Sequence, residues 1–212
     1  IPADAYYGIQ ALRGMENFSI SGIHLSHYPD FIRALAMVKL AAARANADVG
    51  ALPRSILRGM EAACRDIIDG NHLDQFHLDV FQGGAGTSTN MNANEVIANV
   101  ALEHMGREKG DYQYCDPHDH VNLSQSTNDA YPTALHIAIL LTNTRLIAEL
   151  KALTDSLRKR ARAFKSVVKM GRTQLQDAVP MTLGQEFAAF AASIEDEAAA
   201  LAAVETPLCE IN

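Results

Sequence analysis

The 212-residue sequence predicts an all-α fold: a small N-terminal helical domain, residues 1–125, then the first long helices of a central helical bundle, residues 126–212. Three observations predict it. Apolar residues recur at steps of three and four along much of the chain, and no window alternates convincingly with period two. One such stripe also runs for about 25 residues without a glycine or proline, a length that suits bundles.

Taken in order, residues 1–28 carry Pro2, Gly8, Gly14 and Gly22 and lack strong periodicity, so an irregular lead-in is expected. From Pro29 a helix places Phe31, Leu35, Val38, Ala42, Ala45 and Val49 on one face and leaves Arg33 and Lys39 on the surface. Gly50 closes it. Pro53 opens another, with Ile56, Met60, Cys64 and Ile67 inward, and Gly70-Asn71 stops it. Residues 74–89 read as a connection, Asn90 to Met105 as a helix stopped by Gly106, and the polar stretch 107–125 as loop. Leu135, Ile139, Thr142, Leu146, Leu150, Leu153 and Leu157 then mark a helix over about 130–163, roughly 50 Å long. After a bend at 165–181, Leu183, Phe187, Phe190, Ile194, Ala198 and Leu201 build a second long, alanine-rich helix. Two such helices bury their stripes poorly, so partners are expected from further sequence, other subunits, or both.

Composition excludes several classes. A net charge of −7 gives no basic footprint for nucleic acid, and no apolar run approaches the roughly 20 residues of a membrane span. Cys64, Cys115 and Cys209 are odd in number and lack paired spacing, which points to a reducing, cytoplasmic setting and against a disulfide or zinc framework. The sequons at Asn17 and Asn122 read as chance matches.

Three loop-to-helix junctions are rich in uncharged donors. Gly83-Gly84-Ala85-Gly86-Thr87-Ser88-Thr89-Asn90 would let a backbone and a helix N-terminus approach a carboxylate or phosphate; equally, it reads as a capped helix after a flexible loop. Ser124-Gln125-Ser126-Thr127-Asn128-Asp129 holds more capping residues than one helix start needs. Gly171-Arg172-Thr173-Gln174 spends neutral polarity on a bend. Together they suit a carboxylate on which further negative charge develops, but no proton acceptor accompanies them. Asp116-Pro117-His118-Asp119-His120 lacks a third ligand at standard spacing, so no metal site is assigned; the remaining histidines, His24, His27, His72, His77, His104 and His136, read as surface or capping residues. Cys64, on an apolar stripe, reads as core.

The blocks GGAGTSTNMNANE (83–95), VNLSQSTNDAYPTALHIA (121–138) and GRTQLQDAVPMTLGQEF (171–187), with the opening PADAYYGIQALRGMENF, resemble the aspartase/fumarase superfamily, in order and across essentially the whole chain. The resemblance implies reversible anti-elimination of an amine or water from a dicarboxylate to give fumarate. It also implies a homotetramer whose active sites are shared between subunits. Carried over by position, Thr87, Ser126 and Thr127 would hold the β-carboxylate, and Asn128, helped by Thr87, would orient the leaving amino group. Thr173 and Gln174 would contact the α-carboxylate or amine. The family's base is a serine in a GSSxMPxKxNP loop, and no such phrase occurs in these 212 residues. No catalytic residue is therefore assigned in this chain, and the base serine is expected downstream of Asn212. The chain is expected to be a truncated N-terminal portion, inactive alone. Fumarases of the family usually read GRTH and QSSND; Gln174 and Thr127 tilt the reading towards L-aspartate as substrate, with L-malate as the alternative and a non-catalytic scaffold as a lesser one. The residues at 116–120 depart from the second carboxylate region of fumarases (HPNDD or similar), so nothing is carried over there. No cofactor is required by this chemistry, and activation by a divalent cation such as Mg2+ is left open.

Overall fold

The computed structural model describes residues 1–211. Asn212, the last residue of the expected bundle segment and the one beyond which the base serine is expected, lies outside the described residues. Among the described residues, seven α-helices and one hairpin follow in chain order: α1 (Ile9–Asn17), α2 (Pro29–Asp48), α3 (Arg54–Asp69), α4 (Thr87–His104), α5 (Thr127–Ala163), β1 (Val168–Thr173), β2 (Gln176–Thr182), α6 (Leu183–Ala203) and α7 (Glu205–Leu208). They form two compact units, residues 1–139 and 140–210, with the division inside α5.

In the first unit α4 is buried on nearly every face, and α2 and α3 pack against it. Ile32 and Leu35 of α2, Met60, Cys64 and Ile67 of α3, and Val96, Ile97 and Val100 of α4 form the centre of one continuous core. The stripe predicted for α3 is the face that is buried. A helix buried all round is normally apolar throughout. Here α4 also buries Asn90, Asn92, Asn94, Glu95 and Asn99.

Several of these polar groups hold distant backbone. The Glu95 carboxylate accepts from the N–H groups of Gly8 (2.9 Å), Gln10 (2.8 Å) and Ala11 (3.0 Å), so it takes up two of the free donors in the first turn of α1 and the one just before it. Asn99 donates to the carbonyl of Tyr6 at 2.7 Å. Residues 1–28 are therefore not simply an irregular lead-in: α1 forms within them because a carboxylate more than eighty positions away caps it. Asp79 plays a similar part for the next segment, accepting from the backbone of Ile20, Ser21 and Gly22 and from the Ser21 hydroxyl. Burial pushes the Asp79 pKa up, but the bonds from the Phe81 and Gly22 N–H groups and from the Ser21 hydroxyl and N–H outweigh it, so the carboxyl lies well below the usual carboxylate range.

Lys39 also departs from expectation. It is fully buried, not on the surface.

In the second unit α6 starts with a reciprocal cap: Gln185 N–H donates to the Thr182 hydroxyl at 3.1 Å, and Thr182 N–H to the Gln185 side chain at 2.8 Å. Gly184 lets α6 cross the end of α5, since a Cβ there would lie 2.5 Å from the Ala161 carbonyl oxygen. Asn143 donates to the Leu201 carbonyl at 2.8 Å, Arg158 pairs with Glu195, and the rings of Phe164 and Phe187 meet at 5.6 Å. The expected bend at 165–181 is an antiparallel hairpin instead, with its register shifted between Met170 and Arg172. The predicted α5 stripe is helical as expected, but Leu135, Ile139, Leu146 and Leu153 remain exposed. What α5 buries in the second unit is the neighbouring row, Asn143, Ile147 and Thr154. Two helices leave each other's outer rows uncovered.

Candidate active site

The glycine-rich loop sets the start of α4. Gly84 and Gly86 both take positive φ, +74° and +86°, and Gly86 occupies the position before the helix. A Cβ on Gly86 would lie 2.3 Å from the Tyr131 ring, so glycine is required there twice over, by conformation and by contact. The close approach seats the first turn of α4 against that of α5. The first ladder bond of α4 runs from Asn90 N–H to the Gly86 carbonyl, which leaves the N–H groups of Thr87, Ser88 and Thr89 outside the ladder at a positive dipole end. The helix begins three residues before the predicted Asn90, and this puts Thr87 in its first turn, exposed.

At the start of α5 the Ser126 hydroxyl accepts from Asn128 N–H at 3.1 Å. The Thr127 hydroxyl accepts from the Asn90 side-chain amide at 3.2 Å. Both hydroxyls thus have an N–H donor on their protein side, and their own protons are what they can give outward. Ser126 and Asn128 are exposed and Thr127 half-buried. Thr87 and the 126–128 cluster therefore sit on adjacent helix N-termini, an arrangement that favours an anion held by neutral donors. A cavity of about 740 Å³ opens alongside, lined by His118, Asp119, Asn122, Ser124, Ser126 and Asp129 among others. It takes in Ser126 but neither Thr87 nor Thr127.

Thr173 and Gln174 belong to the second unit. Thr173 pairs with Gln176 across a two-residue turn whose central residues, Gln174 and Leu175, have φ of +50° and +64°. Those are the φ signs of a type I′ turn, which closes hairpins because its twist matches that of the strands. Thr173, Gln174 and Leu175 are all exposed.

Beneath Thr127 lies a polar layer that sequence reasoning missed. Asn122 Oδ1 accepts from Lys39 Nζ at 3.0 Å, from Asn90 at 3.0 Å and from Asn94 at 3.2 Å. Burial lowers the Lys39 pKa to about 7, with Cys64 acting weakly in the other direction. One signal was available: Asn90, Asn92 and Asn94 are poor helix formers spaced through a helix, which makes sense only if their amides are used.

Other candidates resolve into structure. Asp116 accepts from the N–H groups of His118 and Asp119, both at 2.7 Å, and His120 Nδ1 accepts from Asp116 N–H at 2.8 Å, so this segment folds into a π-turn over Pro117–Val121 that caps itself. Among the described residues no group of three or more His, Cys, Asp or Glu is placed to hold a metal ion. Cys64 and Cys115 are buried and unpaired, and desolvation pushes both thiols up to about 12, far from a nucleophile's range. His104 bonds to Asp66 at 2.7 Å on the surface.

The chain matches a family described as Lyase over residues 1–210. It is 56% identical over 197 residues to the aspartate ammonia-lyase of Pseudomonas aeruginosa, covering 93% of this chain and 42% of that one. Among solved structures, the native fumarate lyase:delta crystallin of Brucella melitensis is 57% identical with a TM-score of 0.96, covering all of this chain and 48% of that one. The class II fumarase of Schistosoma mansoni is 32% identical with a TM-score of 0.87, over all of this chain and 44% of that one. The chain thus spans less than half the length of these relatives. With a family match along almost its whole length and the helical fold of these lyases, the chain belongs to the lyase family of the aspartases and fumarases.

Proposed function

We propose that the protein is an ammonia-lyase that eliminates ammonia reversibly from L-aspartate to give fumarate. The observation that carries this reading is the pair of adjacent helix N-termini, with Thr87, Ser126 and Thr127 offering hydroxyl protons and no cation among them. The proton to be removed, on Cβ beside a carboxylate, is very weakly acidic. When a base takes it, the electron pair moves into the β-carboxylate, which becomes dianionic. The C–N bond then breaks, ammonia leaves, and the C=C bond of fumarate forms. Donors aimed at the oxygens that gain charge lower the barrier for the first step. Asn128 orients the leaving amino group, and Thr173 and Gln174 meet the α-carboxylate or amine.

The same reading includes a serine base on a loop beyond Asn212, a homotetramer with shared active sites, and a cytoplasmic setting. The exposed stripe of α5 supports the assembly, and the unpaired thiols support the compartment. No cofactor takes part, so EDTA should leave the rate unchanged; a rate restored by Mg2+ after chelation would add an activating cation.

Absorbance at 240 nm tests the reaction. The protein expressed from its complete coding sequence should form fumarate from L-aspartate, and turnover of L-malate alone would replace this reading with a fumarase. Residues 1–212 by themselves should release no ammonia; wild-type-like rates would overturn the assignment of the base.

A further inference from the structure

The buried layer under Thr127 has a definite hydrogen-bond polarity. Asn122 Nδ2 donates to the backbone carbonyl of Gln125 at 3.0 Å, and a carbonyl can only accept. The Oδ1 end of Asn122 must therefore face the other way, towards Lys39, Asn90 and Asn94. Lys39 in its ammonium form can only donate, which favours the same orientation. With an oxygen in front of it, Asn90 must present its NH2 group. One N–H goes to Asn122 Oδ1 at 3.0 Å and the other to Thr127 Oγ1 at 3.2 Å. The opposite amide orientation would set two carbonyl oxygens against each other. Asn90 Oδ1, like that of Asn92 and Asn94, has no partner among the described residues.

We propose that Asn90, locked by Asn122 and Lys39, is a positioning residue that makes the Thr127 hydroxyl an acceptor on its protein side and a donor towards the substrate carboxylate. A threonine hydroxyl rotates freely on its own and can equally turn its proton inward. With an N–H aimed at its oxygen from below, the inward direction is occupied, and the proton is directed at the carboxylate oxygen that gains charge. Lys39 matters here for the direction it imposes on Asn122, three hydrogen bonds away from the Thr127 hydroxyl. This inference rests on the L-aspartate reading only for the choice of substrate, because L-malate would present the same β-carboxylate.

A double-mutant cycle on the full-length protein tests it, with fumarate formation and melting temperature measured for each variant. Thr127→Val should lower kcat/KM by about 100-fold, chiefly through kcat, as loss of an oxyanion donor does. Asn90→Leu should cost about 10-fold in the wild-type background but less than about 2-fold once Thr127 is valine. In Thr127→Ser, which keeps the hydroxyl, the Asn90→Leu loss should return. Lys39→Met should follow the same pattern more weakly. Should it fail to fold, the Asn90 cycle alone decides. Losses that multiply fully in the Thr127→Val background, or an Asn90→Leu enzyme within about 2-fold of wild type, would overturn the proposal. Absence of L-aspartate turnover in the wild type would instead sink the substrate reading, and the cycle would then be run on L-malate.

Discussion

The hydroxyls of the first unit and the amide-bearing hairpin of the second are held in opposite ways. Ser126 and Thr127 rest on N–H donors from the protein side, and every link from Lys39 to Thr127 is a hydrogen bond of 3.2 Å or less. Thr173 and Gln174 stand on an exposed turn with two non-glycine residues at positive φ. Donors that must meet developing charge gain from being fixed before the reaction, since no reorganisation is then needed at the transition state. On the proposed reading Thr173 and Gln174 only receive one end of the substrate, and such groups can sit on a strained, accessible tip. The fixed floor has its own cost, a lysine buried among amides with no carboxylate bonded to it among the described residues.

The largest test of this contrast removes the lysine. Because its folded-state pKa is about 7, below the ordinary lysine value, the unfolded chain binds more protons between about pH 7 and 10. Stability of the wild type should therefore rise with pH across that window, the reverse of an exposed lysine pair. Lys39→Met should flatten the slope and stabilise the protein at pH 7 by something on the order of 4 kcal/mol, while fumarate formation falls. Urea titrations at pH 7 and pH 9 check both signs. A variant less stable than wild type at pH 7 would mean that the charge is held by partners stronger than Asn122.

A second test strikes the contact between the two helix starts. Gly86→Ala places a methyl where the Tyr131 ring already lies and at a φ of +86°. Tyr131 is packed edge-on against Phe31, so its ring cannot swing away without disturbing the core. About 2–3 kcal/mol of stability should go, through overpacking plus backbone strain. Activity should fall further than stability accounts for, because Thr87 moves with the loop. An unchanged melting temperature would show that the loop has room that this packing denies.

The same contrast explains what was legible in the sequence. The hydroxyls of Ser126 and Thr127 stood out because the segment holds more capping residues than a helix start needs. The α3 stripe was legible because a single period decides which face is buried, and Ile56, Met60, Cys64 and Ile67 are all inside. The α5 stripe announced a helix but not its burial, since burial depends on which partners are present. Lys39 reads as a surface residue in the sequence because the groups it meets, Cys64 and Asn122, lie in separate segments that come together only in the fold. The α1 helix was hidden for a similar reason, its cap being Glu95. The hairpin escaped because the register shift near Gly171 and the proline at position 180 break the alternation that would have marked two strands.

The smallest test concerns the hairpin tip. Leu175 is 98% exposed at a φ of +64°, in the turn position where type I′ hairpins favour glycine. Its side chain therefore contributes no packing within this chain while its backbone carries a strain of roughly 1 kcal/mol. Leu175→Gly should relieve that strain, partly offset by the greater freedom of glycine in the unfolded chain, for a net gain of about 0.5 kcal/mol. Leu175→Val, β-branched and ill suited to this conformation, should lose about 1 kcal/mol. Melting temperatures ordered Gly above Leu above Val would establish the turn as strained. If glycine instead destabilises the full-length protein, Leu175 is packed there against something outside residues 1–211, and the tip is less free than its partner strands suggest.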